Sequence, residues 1–216
     1  MNKTAYFILL AIILLIAGIF ILQSQYKIPA VIPKAPESSK YQSNTQTTFA
    51  SPVNNPLARI LKKPFGIYVS PDNSPVMPEK FTGYHTGVDF ETFPNEQNED
   101  VPVMAICNGK ILEKRFGRGV GGMIVQSCVF YDAAITIEYG HLKLSSVTAS
   151  VGEILKAGAF LGVLGRGYST ETDGERKHLH LAIHKGSTIN TRGYVQTKDE
   201  LTNWIDIEKY LTQSAR

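Results

Sequence analysis

The sequence predicts an all-β domain carried behind a membrane-spanning helix and a disordered linker, and three observations predict it. From Ile60 onward, short runs of β-branched and aromatic residues alternate with Gly, Asn, Asp and Pro, the pattern of short strands joined by turns. Before that, residues 23–59 contain Pro29, Pro33, Pro36, Pro52 and Pro56, and the stretch Ser39 to Ser51 is mostly Ser, Thr, Gln and Asn. Such a segment cannot bury enough apolar area to offset its ordering entropy. At the front, Ala5 to Leu22 carries no charge. The chain therefore divides into residues 1–22, 23–59 and 60–216.

The first segment is read as a signal anchor. About 18 apolar residues rising ~1.5 Å each span roughly 27 Å, close to the hydrocarbon thickness of a bilayer. A cleaved signal, giving a secreted protein, is the alternative. The following Gln23-Ser24-Gln25-Tyr26 offers no small-x-small cleavage site. A buried soluble helix is the third reading. Lys3 on one side and Lys27, Lys34 and Lys40 on the other leave the positive-inside count undecided. The linker would let a membrane-held domain sample the volume above the bilayer.

Within residues 60–216 the candidate strands are Phe65–Tyr68, Gly87–Phe90, Val103–Lys114, Met123–Phe130, Ala134–Tyr139, Phe160–Leu164 and Leu179–His184. Turn chemistry falls at Asn108-Gly109 and between Gly117 and Gly122. That glycine run lacks the Lys-Ser/Thr ending and the following helix of a phosphate loop, so it is a hairpin turn. Only the tail, Trp204 to Leu211, suggests a short helix. Net charge is +3 with Lys and Arg scattered, which gives no basic stripe and excludes a nucleic-acid surface. Cys107 and Cys128 are the only cysteines. In an exported domain they would pair and stabilise by about 3 kcal/mol in the chain-entropy picture. Two buried thiols and zinc ligation are the alternatives.

Four of the five histidines fall in one set with an aspartate: His85-x-x-x-Asp89, His141 and His178-x-His180. Zn²⁺ in a hydrolytic site takes three protein ligands from His, Asp, Glu and Cys and keeps a fourth position open for water. The set supplies three ligands and two histidines to manage protons, which points to hydrolysis. His178 and His180 would project from one strand face about 6.5–7 Å apart, with Leu179 turned to the core. In one strand His85 and Asp89 would lie roughly 13 Å apart, too far for one ion, so a turn at Thr86-Gly87 must fold them together. His141 follows a strand end. His184 shares the parity of His178 and His180 but precedes Lys185-Gly186, a strand-end signature, and is read as structural or exposed. There is no His-Glu-x-x-His helix and no Gly-x-Ser-x-Gly elbow.

In chain order come His85-Thr86-Gly87-Val88-Asp89-Phe90, Val101-Pro102-Val103-Met104-Ala105, Asn108-Gly109-Lys110-Ile111, Tyr139-Gly140-His141-Leu142, Val151 to Gly158, Leu161 to Gly165 and His178-Leu179-His180-Leu181. With these landmarks the region from Pro64 to Lys185 resembles the lysostaphin-type (LytM-like) zinc metallopeptidases, peptidoglycan endopeptidases. The resemblance implies a mostly antiparallel β-sheet domain with an open substrate groove. It implies one Zn²⁺ per chain on His85, Asp89 and His180, with His141 and His178 flanking the open position as catalytic groups. It implies peptidoglycan peptides as substrate, and hence a domain on the extracytoplasmic side of the cell membrane, acting in wall remodelling. One departure is that Thr172-Asp173-Gly174-Glu175-Arg176-Lys177 stands where many relatives carry a small residue, Gly and Pro before His-x-His. Rival readings are a non-catalytic wall-binding or hydrolase-activating domain, and a zinc hydrolase acting on another peptide.

Overall fold

A computed structural model describes residues 49–211. The apolar run 5–22 and the linker through residue 48 lie outside the described residues. Among those described, no helix is long and apolar enough to cross a membrane. The strands are β1 (Tyr68–Val69), β2 (Gly83–His85), β3 (Gly87–Glu91), β4 (Pro102–Met104), β5 (Gly109–Gly117), β6 (Gly121–Phe130), β7 (Ala133–Gly140), β8 (Ile154–Leu155), β9 (Phe160–Val163), β10 (His178–Lys185) and β11 (Tyr194–Val195). Six form the main sheet in the order β3-β10-β7-β6-β5-β8; β1-β2-β11 and β4-β9 form smaller sheets. Every pairing is antiparallel.

Alternation along the central strands decides which face is core. Val88 and Phe90 of β3, Ile135, Ile137 and Tyr139 of β7, and Leu179, Leu181 and Ile183 of β10 are all buried in the main apolar cluster. The residues between them, Asp89, Glu138, His178 and His180, face the other side and are also buried. The strands at the centre are thus covered on both faces, apolar on one and ionisable on the other.

The structure revises several sequence-based boundaries. Packing begins at Phe49 rather than Ile60: Phe49 stacks on Phe130 with ring centroids 4.3 Å apart, and Arg59 is buried, donating to both carboxylate oxygens of Glu96. The run Val103–Lys114 is two strands: β4 pairs with β9, residues 105–108 cross over, and β5 pairs with β6 and β8. Cys107 lies in that crossing and is joined to Cys128 by a disulfide, Cα–Cα 6.3 Å, so the cysteines are paired rather than free or zinc-bound. Phe65 and Gly66 form a turn, with Gly66 at φ 74°, and the first strand shifts to β1. In the tail only Glu208–Leu211 is helical; Trp204 instead bridges to His184, and Ile205 N–H donates to Ile183 O. The Gly117–Gly121 hairpin joins β5 to β6 as expected.

Candidate active site

His85 and Asp89 are brought together by a change of sheet. β2 ends at His85 in the three-stranded sheet, and β3 starts at Gly87 in the six-stranded one. Thr86 holds the crossing, donating from N to Gly193 O at 3.0 Å and from Oγ1 to Arg192 O at 2.6 Å. Gly87 is required by close approach: a Cβ there would lie 2.6 Å from Leu181 O and 2.7 Å from His180 Cε1. β3 then pairs with β10 so that Asp89 faces His180 and Glu91 faces His178. His141 follows β7 in the left-handed region, φ 62°, held by its N–H to Val120 O and by Gly165 N–H to its carbonyl. All five residues line one cleft of about 360 Å³.

Three of them form a tight donor set. His85 Nε2 lies 3.1 Å from His180 Nδ1, which lies 3.1 Å from Asp89 Oδ1, and His85 Nε2 lies 3.4 Å from that same oxygen. A tetrahedral ion with bonds of ~2.0–2.2 Å separates its ligands by roughly 3.3–3.5 Å, so two nitrogens and one oxygen at these spacings fit zinc. His178 Nε2 stands 3.2 Å from the other oxygen, Asp89 Oδ2, and its Nδ1 lies 2.9 Å from Arg176 O. The His141 and His178 rings are 4.3 Å apart. His184 is elsewhere, its ring against Trp204 at 4.9 Å.

Electrostatics separate these groups. Burial alone would raise Asp89, but His178 and His85, with hydrogen bonds from His178 and His180, outweigh it and hold the carboxyl well below the usual carboxylate range. Burial, reinforced by the like charges of His178 and His180, pushes His141 well below the ordinary imidazole value, so its ring is neutral at neutral pH. Burial pushes Glu138, which lines the cleft, up to about 7.

Sequence reasoning missed the groups around this set. Arg176 is buried; it donates from Nη2 to Asp89 Oδ2 at 2.8 Å and from Nε to both oxygens of Glu91 at 2.9 Å. This fixes Asp89 Oδ2 and leaves Oδ1 to the donor set. Tyr194 of β11 leans over His85 with centroids 5.3 Å apart, and its hydroxyl accepts from Lys63 Nζ at 3.0 Å. Glu91 was findable by parity, being two residues beyond Asp89 on the same strand face. Arg176 and Tyr194 had no such signal, since their partners are remote in sequence. The segment preceding β10 is pinned as a wall of the cleft: Asp173 Oδ2 accepts from Gly119 N at 2.7 Å. A Cβ at Gly121 would collide with the Glu171 backbone.

Solved structures to which the chain is similar include the catalytic domain of the antimicrobial peptidase lysostaphin from Staphylococcus simulans, 24% identical over 69% of this chain and 89% of that one, TM-score 0.47. A zinc-containing peptidase from Vibrio cholerae is 21% identical over 65% of this chain and 37% of that one, TM-score 0.43. LytU is 20% identical over 80% and 97%, TM-score 0.43. No curated protein matches. The model of peptidase family M23 matches residues 83–191, a span that includes His85, Asp89, His141, His178 and His180 and half of the sequence; the chain belongs to peptidase family M23.

Proposed function

We propose that the chain is a zinc-dependent endopeptidase that hydrolyses peptide bonds of bacterial peptidoglycan, held at the membrane by residues 5–22. The observation that carries the reading is the convergence of His85 Nε2, Asp89 Oδ1 and His180 Nδ1 at tetrahedral spacing, with His141 and His178 beside them in one cleft. Membership of a peptidase family supports peptide hydrolysis. The disulfide supports an oxidising, extracytoplasmic setting, and the apolar run at the amino terminus supports the tether.

His85, Asp89 and His180 would hold the ion. Zinc bound in such a site lowers the pKa of water towards 7 and polarises a carbonyl oxygen. His85 donates Nδ1–H towards Pro64 O, 3.3 Å away, which leaves its Nε2 lone pair for ligation. Arg176 keeps Asp89 from rotating. His141, neutral, accepts a proton as general base. His178 has Nδ1–H committed to Arg176 O, so it turns Nε2 into the cleft and, when protonated there, donates to the developing oxyanion. Tyr194 and the pinned wall restrict water around the reacting carbonyl.

The test is metal content and release of new amino groups from purified peptidoglycan, on the full-length chain and on His180→Ala. One zinc per chain and new amino termini, both lost in the variant, is the expected result. Zinc without cleavage would favour the non-catalytic wall-binding role. No zinc would overturn the reading.

A further inference from the structure

The tautomers that ligation requires leave one proton without a partner. His85 presents Nε2 and donates its Nδ1–H to a backbone carbonyl. His180 presents the opposite nitrogen, Nδ1, and a lone pair there puts the proton on Nε2. That Nε2 is buried and has no hydrogen-bond partner. Ligating imidazoles almost always donate the second N–H, and the acceptor fixes ring orientation and basicity.

One buried carboxylate oxygen is orphaned in the same way, Glu138 Oε2. The β7–β10 register sets Glu138 opposite Ala182 and Gly140 opposite His180. Glu138 and His180 are therefore diagonal neighbours on the groove face, a spacing of about 7–8 Å that long side chains bridge. Ala182 and Gly140 complete that square, with Val120 Cγ2 filling the space over Gly140. Both residues line the same cleft, and His180 leads the charges acting on the Glu138 carboxyl. Of the other orphaned imidazole nitrogens, His184 Nδ1 belongs to a ring packed on Trp204, and His141 Nδ1 to a ring on which His178 and His180 are the leading charges.

We propose that Glu138 is the positioning residue of His180, accepting its Nε2–H through one bridging water and so holding the ring in the tautomer that ligates through Nδ1. The inference rests on the zinc-site reading above. Glu138 touches neither the ion nor the scissile bond; it acts through His180. Two buried atoms that each lack a partner in the protein, and are each costly when left so, are thereby satisfied together.

The experiment is zinc affinity of the full-length chain by chelator competition, with thermal unfolding of the metal-free protein alongside, for wild type, Glu138→Leu and Glu138→Gln. Glu138→Leu should weaken zinc binding about 10–100-fold, the usual effect of removing a ligand's hydrogen-bond partner. Its metal-free unfolding temperature should not fall, because leucine packs against Val125 and Ala182, the apolar neighbours set by register. Glu138→Gln keeps an acceptor oxygen and should restore affinity to within about 3-fold of wild type, a loss below one hydrogen bond. Wild-type affinity in Glu138→Leu would overturn the inference, as would a Gln variant as weak as Leu. A wild type that binds no zinc would instead bring down the zinc-site reading itself, which separates the two failures.

Discussion

Glu138 and Tyr139 are adjacent on β7, equally buried, and opposite in what they do with a polar group. Tyr139 points to the core. Its hydroxyl accepts from Ile106 N–H at 2.8 Å and donates to Gln126 Oε1 at 2.8 Å, and Gln126 in turn donates to Cys107 O at 3.1 Å. Every atom of that network is answered within the protein, and it secures the 105–108 crossing beside the disulfide. Glu138 points to the groove, where Oε2, His180 Nε2 and His141 Nδ1 are all unanswered. The contrast separates polar burial that serves the fold from polar burial that awaits a ligand. Substitutions on the groove face should change metal or turnover, and those on the core face should change stability alone.

The largest effect expected is on turnover. His141→Ala should lower kcat/KM by about 10²–10⁴, the usual contribution of a general base, while zinc stays near one per chain. Loss of zinc in that variant would make His141 a ligand and break the division of roles. Arg176→Met comes next and blurs the contrast on purpose, since Arg176 lines the groove yet is partnered by two carboxylates. It leaves buried Glu91 with only Lys62 Nζ at 3.7 Å and Asp89 Oδ2 with only His178 Nε2 at 3.2 Å, so metal-free stability should fall by about 3–5 kcal/mol, and zinc affinity should fall about 10–100-fold. Denaturant unfolding and chelator competition read the two separately. A loss of stability with affinity intact would make Arg176 structural only.

The groove face was more legible in sequence than the residues that support it. Strand parity alone put His178 and His180 on one side and Leu179 in the core. Reach alone demanded a bend between His85 and Asp89. That the bend is a change of sheet, with Gly87 making room for His180, needs the β3–β10 pairing, which periodicity does not give. Arg176 read as loop charge because Glu91 and Asp89 are 85 and 87 residues away. Glu138 carried no signal until register placed it diagonal to His180. Boundaries failed where tertiary contacts override local pattern: Phe49 joins the core through Phe130, and the 105–108 crossing interrupts an unbroken β-forming run. β2, β8 and β11 are too short to show a period at all.

A smaller effect comes from pH. Glu138 titrates near 7 in the folded chain against an ordinary 4.5. Between those values the unfolded chain has lost its proton and the folded chain has kept it. Stability present below pH ~4.5 is therefore lost as pH rises through ~7, by on the order of 3 kcal/mol. His180, Arg115 and Glu113 are the charges that act on this carboxyl. Metal-free wild type should lose stability relative to metal-free Glu138→Leu across that window, measured by denaturant unfolding at several pH values. A difference independent of pH would mean that Glu138 has an ordinary carboxyl environment.

The smallest effect is the sharpest check on the core face. Tyr139→Phe removes the hydroxyl and leaves Ile106 N–H and Gln126 Oε1 without it, with Gln126 still tied to Cys107 O and Gly109 O. Stability should fall by about 1–3 kcal/mol, the cost of buried groups left unpaired. Because the network lies across the sheet from the donor set, zinc affinity should stay at the wild-type value. Should it fall instead, the two faces are coupled through β7, and the polar network of the core is part of what positions Gly140 against His180.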